Sequence, residues 1–170
     1  VPKEEDFIYP IFRALSATVV WKGYRPIDFS KPGVLKKASN LLIGQTINVD
    51  HETALGNGIG VVKSVAWQDS YTADGILVPP GINAKFMIDG KSNPRIARAI
   101  QSEPPIVHSN SVSVKFTWSP SHKETNDNDF FNKLGTRDAK GELYRLVVDE
   151  IISFSETSLV AHGADPFAQI

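Results

Sequence analysis

The sequence predicts an α+β fold, a mainly antiparallel, barrel-like β core with two or three flanking helices. Three observations predict it. The stretch Asn110-Ser111-Val112-Ser113-Val114-Lys115-Phe116-Thr117-Trp118 alternates polar with apolar residues, the period of a strand with one buried face. Further β-rich runs are separated by turn residues. Two other segments join a capping residue, an early proline and apolar residues at helical spacing.

Taken in order, the chain opens acidic with Glu4, Glu5 and Asp6, and the segment from Ile11 to Ala17 suits either a strand or a short helix. Ala17 to Trp21 reads as a strand that ends in Lys22-Gly23-Tyr24-Arg25-Pro26. Ser30 and Pro32, followed by Val34, Leu35, Ala38, Leu41 and Leu42, predict a helix over about 32–41. Gln45 to Asp50 and Gly60 to Trp67 are strands joined by a glycine-rich loop, and Ile76 to Val78 is a short one. Asn93-Pro94 starts a second helix through Ile96, Ala97 and Ile100. After the 110–118 strand, residues 119–141 are rich in Asn, Asp and Lys, and they read as a mobile loop. Leu143 to Val148 and Ile151 to Val160 close the chain as two β segments.

At 170 residues and 41% hydrophobic, the chain fits a single domain, 1–170, since a chain of this size buries roughly two thirds of its unfolded surface. A net charge of −1 with no basic block gives no footprint for nucleic acid or a membrane surface. The absence of cysteine excludes a disulfide framework and a thiolate nucleophile, so any nucleophile is an oxygen or an amine. Val1 in place of Met, with no secretory apolar region and no run of about 18 apolar residues, reads as a trimmed piece of a soluble intracellular protein.

A serine becomes a good nucleophile when a base takes its proton, and that base is usually a histidine held by a third group. Of the four histidines, His51 ends a β run before a glycine-rich loop, His108 precedes the serine strand, His122 lies in the polar loop and His162 follows the last strand. His51 is the best placed for chemistry on a rigid scaffold, although a surface histidine at a strand end is the more ordinary occurrence. Ser113 alone reads equally well as a solvated strand serine. Glu156, a carboxylate inside an apolar and hydroxyl-bearing strand, is costly unless paired or exposed, and edge-strand solubility is its plain explanation. His51-Glu52-Thr53-Ala54-Leu55 lacks the second histidine of a metalloprotease helix, so no metal or cofactor is expected. Gly56-Asn57-Gly58-Ile59-Gly60 runs into a strand rather than a phosphate-binding helix, and no Gly-x-Ser-x-Gly elbow occurs.

Three pieces in this order, His51 before Gly58-Ile59-Gly60-Val61-Val62, then Ser113-Val114-Lys115-Phe116, then Glu156-Thr157-Ser158-Leu159-Val160 running into Gly163-Ala164-Asp165-Pro166-Phe167-Ala168, resemble the tailed-phage prohead serine proteases, relatives in fold of the herpesvirus assemblins. The resemblance spans roughly residues 46–168. It implies His51 as general base, Ser113 as nucleophile and Glu156 as the residue that orients the imidazole. Ser111 is the alternative nucleophile, and His162 or Asp149 the alternative third member. Lys115 stands where the family usually has glycine, and Gly163-Ala164-Asp165-Pro166 replaces Pro-Ala-Asn-Pro.

What the resemblance implies further is a self-trimming serine endopeptidase inside the viral procapsid, in the host cytoplasm. Its substrates would be scaffold and major capsid polypeptides and its own precursor, with a homodimer as a further expectation. Two other readings compete with it. One is a non-catalytic capsid- or scaffold-binding β domain of the same fold, and the other an esterase or amidase acting on small molecules.

Overall fold

Strands with one apolar and one polar face stack their apolar faces together, and here they do so within one branched sheet. The computed structural model describes residues Val1–Ile170. Its strands are β1 (Phe7–Ile8), β2 (Ile11–Ser16), β3 (Val19–Lys22), β4 (Arg25–Asp28), β5 (Thr46–Val49), β6 (Gly60–Gln68), β7 (Tyr71–Ala73), β8 (Ile76–Val78), β9 (Gly81–Asp89), β10 (Ser109–Pro120) and β11 (Leu146–Val160). The helices are α1 (Val34–Ala38), α2 (Pro94–Gln101) and α3 (Asp127–Lys133). The fold is thus α+β with three helices. Nine strands form a mixed sheet in the order β1-β9-β6-β5-β11-β4-β3, with β10 added to β11 and β2 to β9, while β7 and β8 form a separate hairpin.

Most pairings are antiparallel, and β11 is the exception that organises the rest. Along one edge it carries β10 antiparallel over its whole length. Along the other it pairs in parallel with β4 at Leu146 and Val147 and with β5 at Thr157 to Leu159. The barrel-like expectation needs correction here, because the sheet does not close: no strand of the ladder order joins β10 to β2. The C-terminal segment partly bridges that gap, with Arg13 N–H bonded to Gln169 O and Asn110 N–H to Ala168 O.

The core lies between the strands of the sheet and under α1. Phe12, Leu35, Leu42, Ile47, Val62, Ile82, Phe86, Ile88 and Val148 are fully buried, and Phe12 stacks on Phe86 at 4.9 Å. Each such side chain contributes about 1.5–3 kcal/mol on leaving water.

Several segments differ from expectation: Arg25-Pro26, expected in a turn, begin β4, and Gly81–Asp89 forms a strand, β9, that was not expected. The ambiguous 11–17 stretch is β2, set by its pairing with β9 rather than by any local signal. The first helix is shorter than 32–41: α1 starts after Gly33, which is left-handed at φ 82°, and passes into a 3-10 turn at Ser39–Leu42, where Ser39 Oγ donates to Lys36 O in competition with helix continuation. The two closing β segments are a single strand of 15 residues, since its polar Asp149 is satisfied by Lys31 and Ser119. Residues 119–141, expected as a structureless loop, contain α3. Asn126 caps it through Asp129 N–H at 2.9 Å, and Phe130 and Leu134 bury against Leu146 beneath Trp118.

Candidate active site

The ladder between β10 and β11 sets Ser111 opposite Ser158 and Ser113 opposite Glu156. Residues directly opposite in a ladder share a face, so the hydroxyls of Ser111, Ser113 and Ser158 gather with the Glu156 carboxylate. On the far edge of β11, β5 brings Val49 beside Leu159, and the chain then turns at Asp50 and His51. Both adopt the left-handed region, at φ 52° and 60°, a conformation that costs most residues and that Asp and His tolerate better than most. The turn is held by Asp50 N–H to Leu159 O at 3.0 Å, Glu52 N–H to Val49 O at 3.0 Å, and His51 N–H to Ser158 Oγ at 3.1 Å.

This turn aims the imidazole at Glu156. His51 Nδ1 lies 2.8 Å from Glu156 Oε1, Ser113 Oγ donates to Oε2 at 3.2 Å, and Ser158 Oγ donates to Oε1 at 2.5 Å. Burial pushes the Glu156 carboxyl up, but the hydrogen bond from Ser158, the nearby His51 and the hydroxyl of Ser113 together hold it below the usual glutamate range. An ionised carboxylate on Nδ1 fixes the tautomer with its proton there and leaves Nε2 with a lone pair, the form required of a general base. The Ser113 hydroxyl points at the carboxylate rather than at Nε2; catalytic hydrogen bonds of this kind often align only once substrate is bound.

The three side chains border a cleft of about 500 Å³. Its polar side is His51, Ser111, Ser113, Glu156 and His162, and its apolar side includes Leu15, Val20, Ile27 and Phe29. That volume and mixture suit a small ligand or a few residues of a polypeptide. At one end, Asn110 is wholly buried, with Nδ2 bonded to Arg13 O and Ala168 O and Oδ1 without a partner.

The sequence-predicted residues divide clearly. His51 and Ser113 both come within hydrogen-bonding reach of the Glu156 carboxylate. Ser111 lines the same cleft with its hydroxyl unbonded to the group, and His162 sits exposed on the rim without a bond to either. Asp149 is excluded as a third member: it pairs with Lys31 at 2.9 Å, accepts from Ser119 and lies seven positions before Glu156 on β11, roughly 20 Å away. Lys115 is exposed opposite Ser153.

Sequence reasoning missed Ser158, which is completely buried and ties the His51 backbone to the Glu156 carboxylate. Its signal was position i+2 from Glu156 on one strand face. No metal-ligand spacing is visible in the sequence, yet His122, Asp138 and Glu142 approach one another within 4.8 Å. There, His122 Nε2 bonds Asp138 at 2.9 Å, its Nδ1 bonds Ser121 Oγ at 2.7 Å, and the ring stacks on Tyr144 at 3.9 Å. Ser121 Oγ additionally receives Arg145 N–H, so this second Ser-His-Asp chain is spent on joining β10 to the start of β11.

No helix is long and apolar enough to cross a membrane. Comparison of the chain with protein-family models, with curated proteins and with solved structures gives no match.

Proposed function

We propose that the protein is a serine endopeptidase in which Ser113 attacks a peptide carbonyl, His51 takes the proton and returns it to the leaving amine, water activated by His51 then hydrolyses the acyl group from Ser113, and Glu156 holds the imidazole tautomer. The observation that carries this reading is the convergence of His51 Nδ1 and Ser113 Oγ on the Glu156 carboxylate at the wall of a cleft. A free Nε2 faces no protein partner and is available to the serine once substrate draws the hydroxyl round.

The resemblance to tailed-phage prohead proteases extends the proposal to scaffold and capsid-protein extensions as substrates, to trimming of the enzyme's own precursor within the procapsid, to a homodimer and to a herpesvirus-protease-like fold. A second reading, a non-catalytic scaffold-binding domain, is favoured by one observation: the Ser113 hydroxyl donates to Glu156 instead of His51. The test is self-processing. The protein carrying its natural flanking sequence is expected to shorten with time, and the Ser113→Ala form to stay whole. A binding domain would be indifferent to that hydroxyl.

A further inference from the structure

A second hollow adjoins the candidate site, over β5 and β11 rather than along β10. In the parallel register Asn48 of β5 stands beside Ser158 of β11. Ile47 is turned into the core, so strand alternation turns Asn48 to the face that carries Ser158 and Glu156. Asn48 is only 6% exposed, and its carboxamide has no hydrogen-bond partner within the protein. What it does expose opens into a hollow of about 260 Å³, lined also by Gln45, Thr46, Thr53, Leu55 and Ser155. The chain that follows His51 forms one wall, and it can lie close because residue 58 is glycine: a Cβ there would stand 3.0 Å from Thr46 Cγ2.

We propose that this hollow is a specificity pocket of the candidate protease and takes an uncharged carboxamide side chain, glutamine or asparagine, of the polypeptide substrate. The inference rests on the endopeptidase reading of the neighbouring residues and adds which side chain they select. A buried polar group without a partner is unfavourable, so Asn48 favours an occupant that bonds to it. No ionisable side chain lines the hollow, so a charged occupant would lose its hydration without a counter-charge, and an apolar one would leave Asn48 unpaired. A carboxamide meets both conditions, because it offers a donor and an acceptor to the acceptor and donor of Asn48. The hollow reaches the nucleophile through Ser155, whose Oγ donates to Ser113 O at 3.3 Å. Since β5 and β10 flank β11, Asn48 lies about two strand spacings, roughly 10 Å, from β10. That is the span of about three residues of extended chain, which sets the selected residue about two or three positions from the scissile bond.

The probes are capped octapeptides of alanine and serine that carry glutamine, or its near-isosteres glutamate and methionine, at each position in turn. Cleavage by the parent protein is read by mass as relative kcat/KM. Binding to the full-length Ser113→Ala protein is read by NMR from the side-chain NH2 signals of Asn48. At one position glutamine is expected to exceed both isosteres by on the order of tenfold or more, and that peptide alone is expected to move the Asn48 signals. Asn48→Leu is expected to abolish the preference for glutamine while Tm stays level or rises, because an apolar side chain replaces an unpaired polar one. An asparagine kept for structure alone would lower Tm on replacement and leave the preference in place. Should Asn48→Leu fail to fold, the peptide series on the parent and the Asn48 signals decide by themselves.

Asn48 signals moved by a glutamine peptide, with no cleavage by the parent, would sink the protease reading and leave the carboxamide pocket standing. Cleavage with no preference for glutamine at any position, and with the Asn48 signals unmoved, would overturn the pocket and leave the protease. A preference that survives Asn48→Leu overturns the pocket as well, and so does the absence of any response to the glutamine peptides at millimolar concentration.

Discussion

Two histidines on this scaffold are bonded to carboxylates at nearly the same distance, His51 to Glu156 at 2.8 Å and His122 to Asp138 at 2.9 Å, and each has a serine close by. The second is, by distances alone, the better Ser-His-Asp chain, because Ser121 Oγ touches the imidazole at 2.7 Å whereas Ser113 Oγ touches only the carboxylate. What separates them is the capacity left over. His122 has both ring nitrogens engaged and a face covered by Tyr144, and the Ser121 hydroxyl is held by Arg145 N–H. His51 has one nitrogen engaged, a half-exposed ring and a cleft in front of it. Hydrogen-bond geometry marks both as organised, and only spare bonding capacity beside open space marks one as a site.

Substitutions at the two places are expected to part company. Replacing the base, His51→Ala, is expected to lower the cleavage rate by about a thousandfold or more, whereas His122→Ala leaves the rate near that of the parent. Glu156→Gln keeps the shape but offers the imidazole the wrong partner, and the rate is expected to fall by about 100- to 10,000-fold with little change in KM. Steady-state kinetics on a cleaved peptide reads both. In thermal unfolding the order reverses: His122→Ala is expected to cost about 1–2 kcal/mol, through the lost stack on Tyr144 and the unpaired Ser121.

Ser158→Ala gives a smaller effect of a distinctive kind. It removes a donor from Glu156 and an acceptor from His51 N–H, so the rate is expected to drop about tenfold through kcat, with Ser158→Thr restoring part of it. The smallest is the pH dependence of stability. Because the folded Glu156 carboxyl titrates below its unfolded value, its contribution is fully present above the unfolded value of about 4.3 and is lost as pH falls through the folded one. Parent and Glu156→Gln are therefore expected to differ in Tm at pH 7 and to converge on acidification, while a difference that grows toward pH 3 would contradict the assigned charge.

The same contrast explains how much could be read from the chain. The alternation at 110–118 specified β10, and Asn93-Pro94 specified α2, because each signal is local. The meeting of His51 with Glu156, 105 positions apart in sequence, depends on a parallel pairing of β5 with β11 that no local period encodes; their association in the sequence came from resemblance. Ser158 was hidden for the same reason, since its partners are the backbone of a left-handed turn and a carboxylate on its own strand. Residues 119–141 misled through composition. Their many Asn, Asp and Lys cover a short helix whose Phe130, with Leu134 just after it, buries against Leu146 while Phe130 stacks on Trp118, and that packing becomes visible only once β10 and β11 are paired. The barrel expectation failed at one seam, where a cleft takes the place of a ladder between β10 and β2.

The most direct test of the account pairs two serines in one experiment: intact mass is followed over time for the flanked protein, its Ser113→Ala form and its Ser121→Ala form. The account predicts that the parent and Ser121→Ala shorten at similar rates while Ser113→Ala remains whole. Trimming of Ser113→Ala at the parental rate, or its loss in Ser121→Ala with the fold intact, would contradict it.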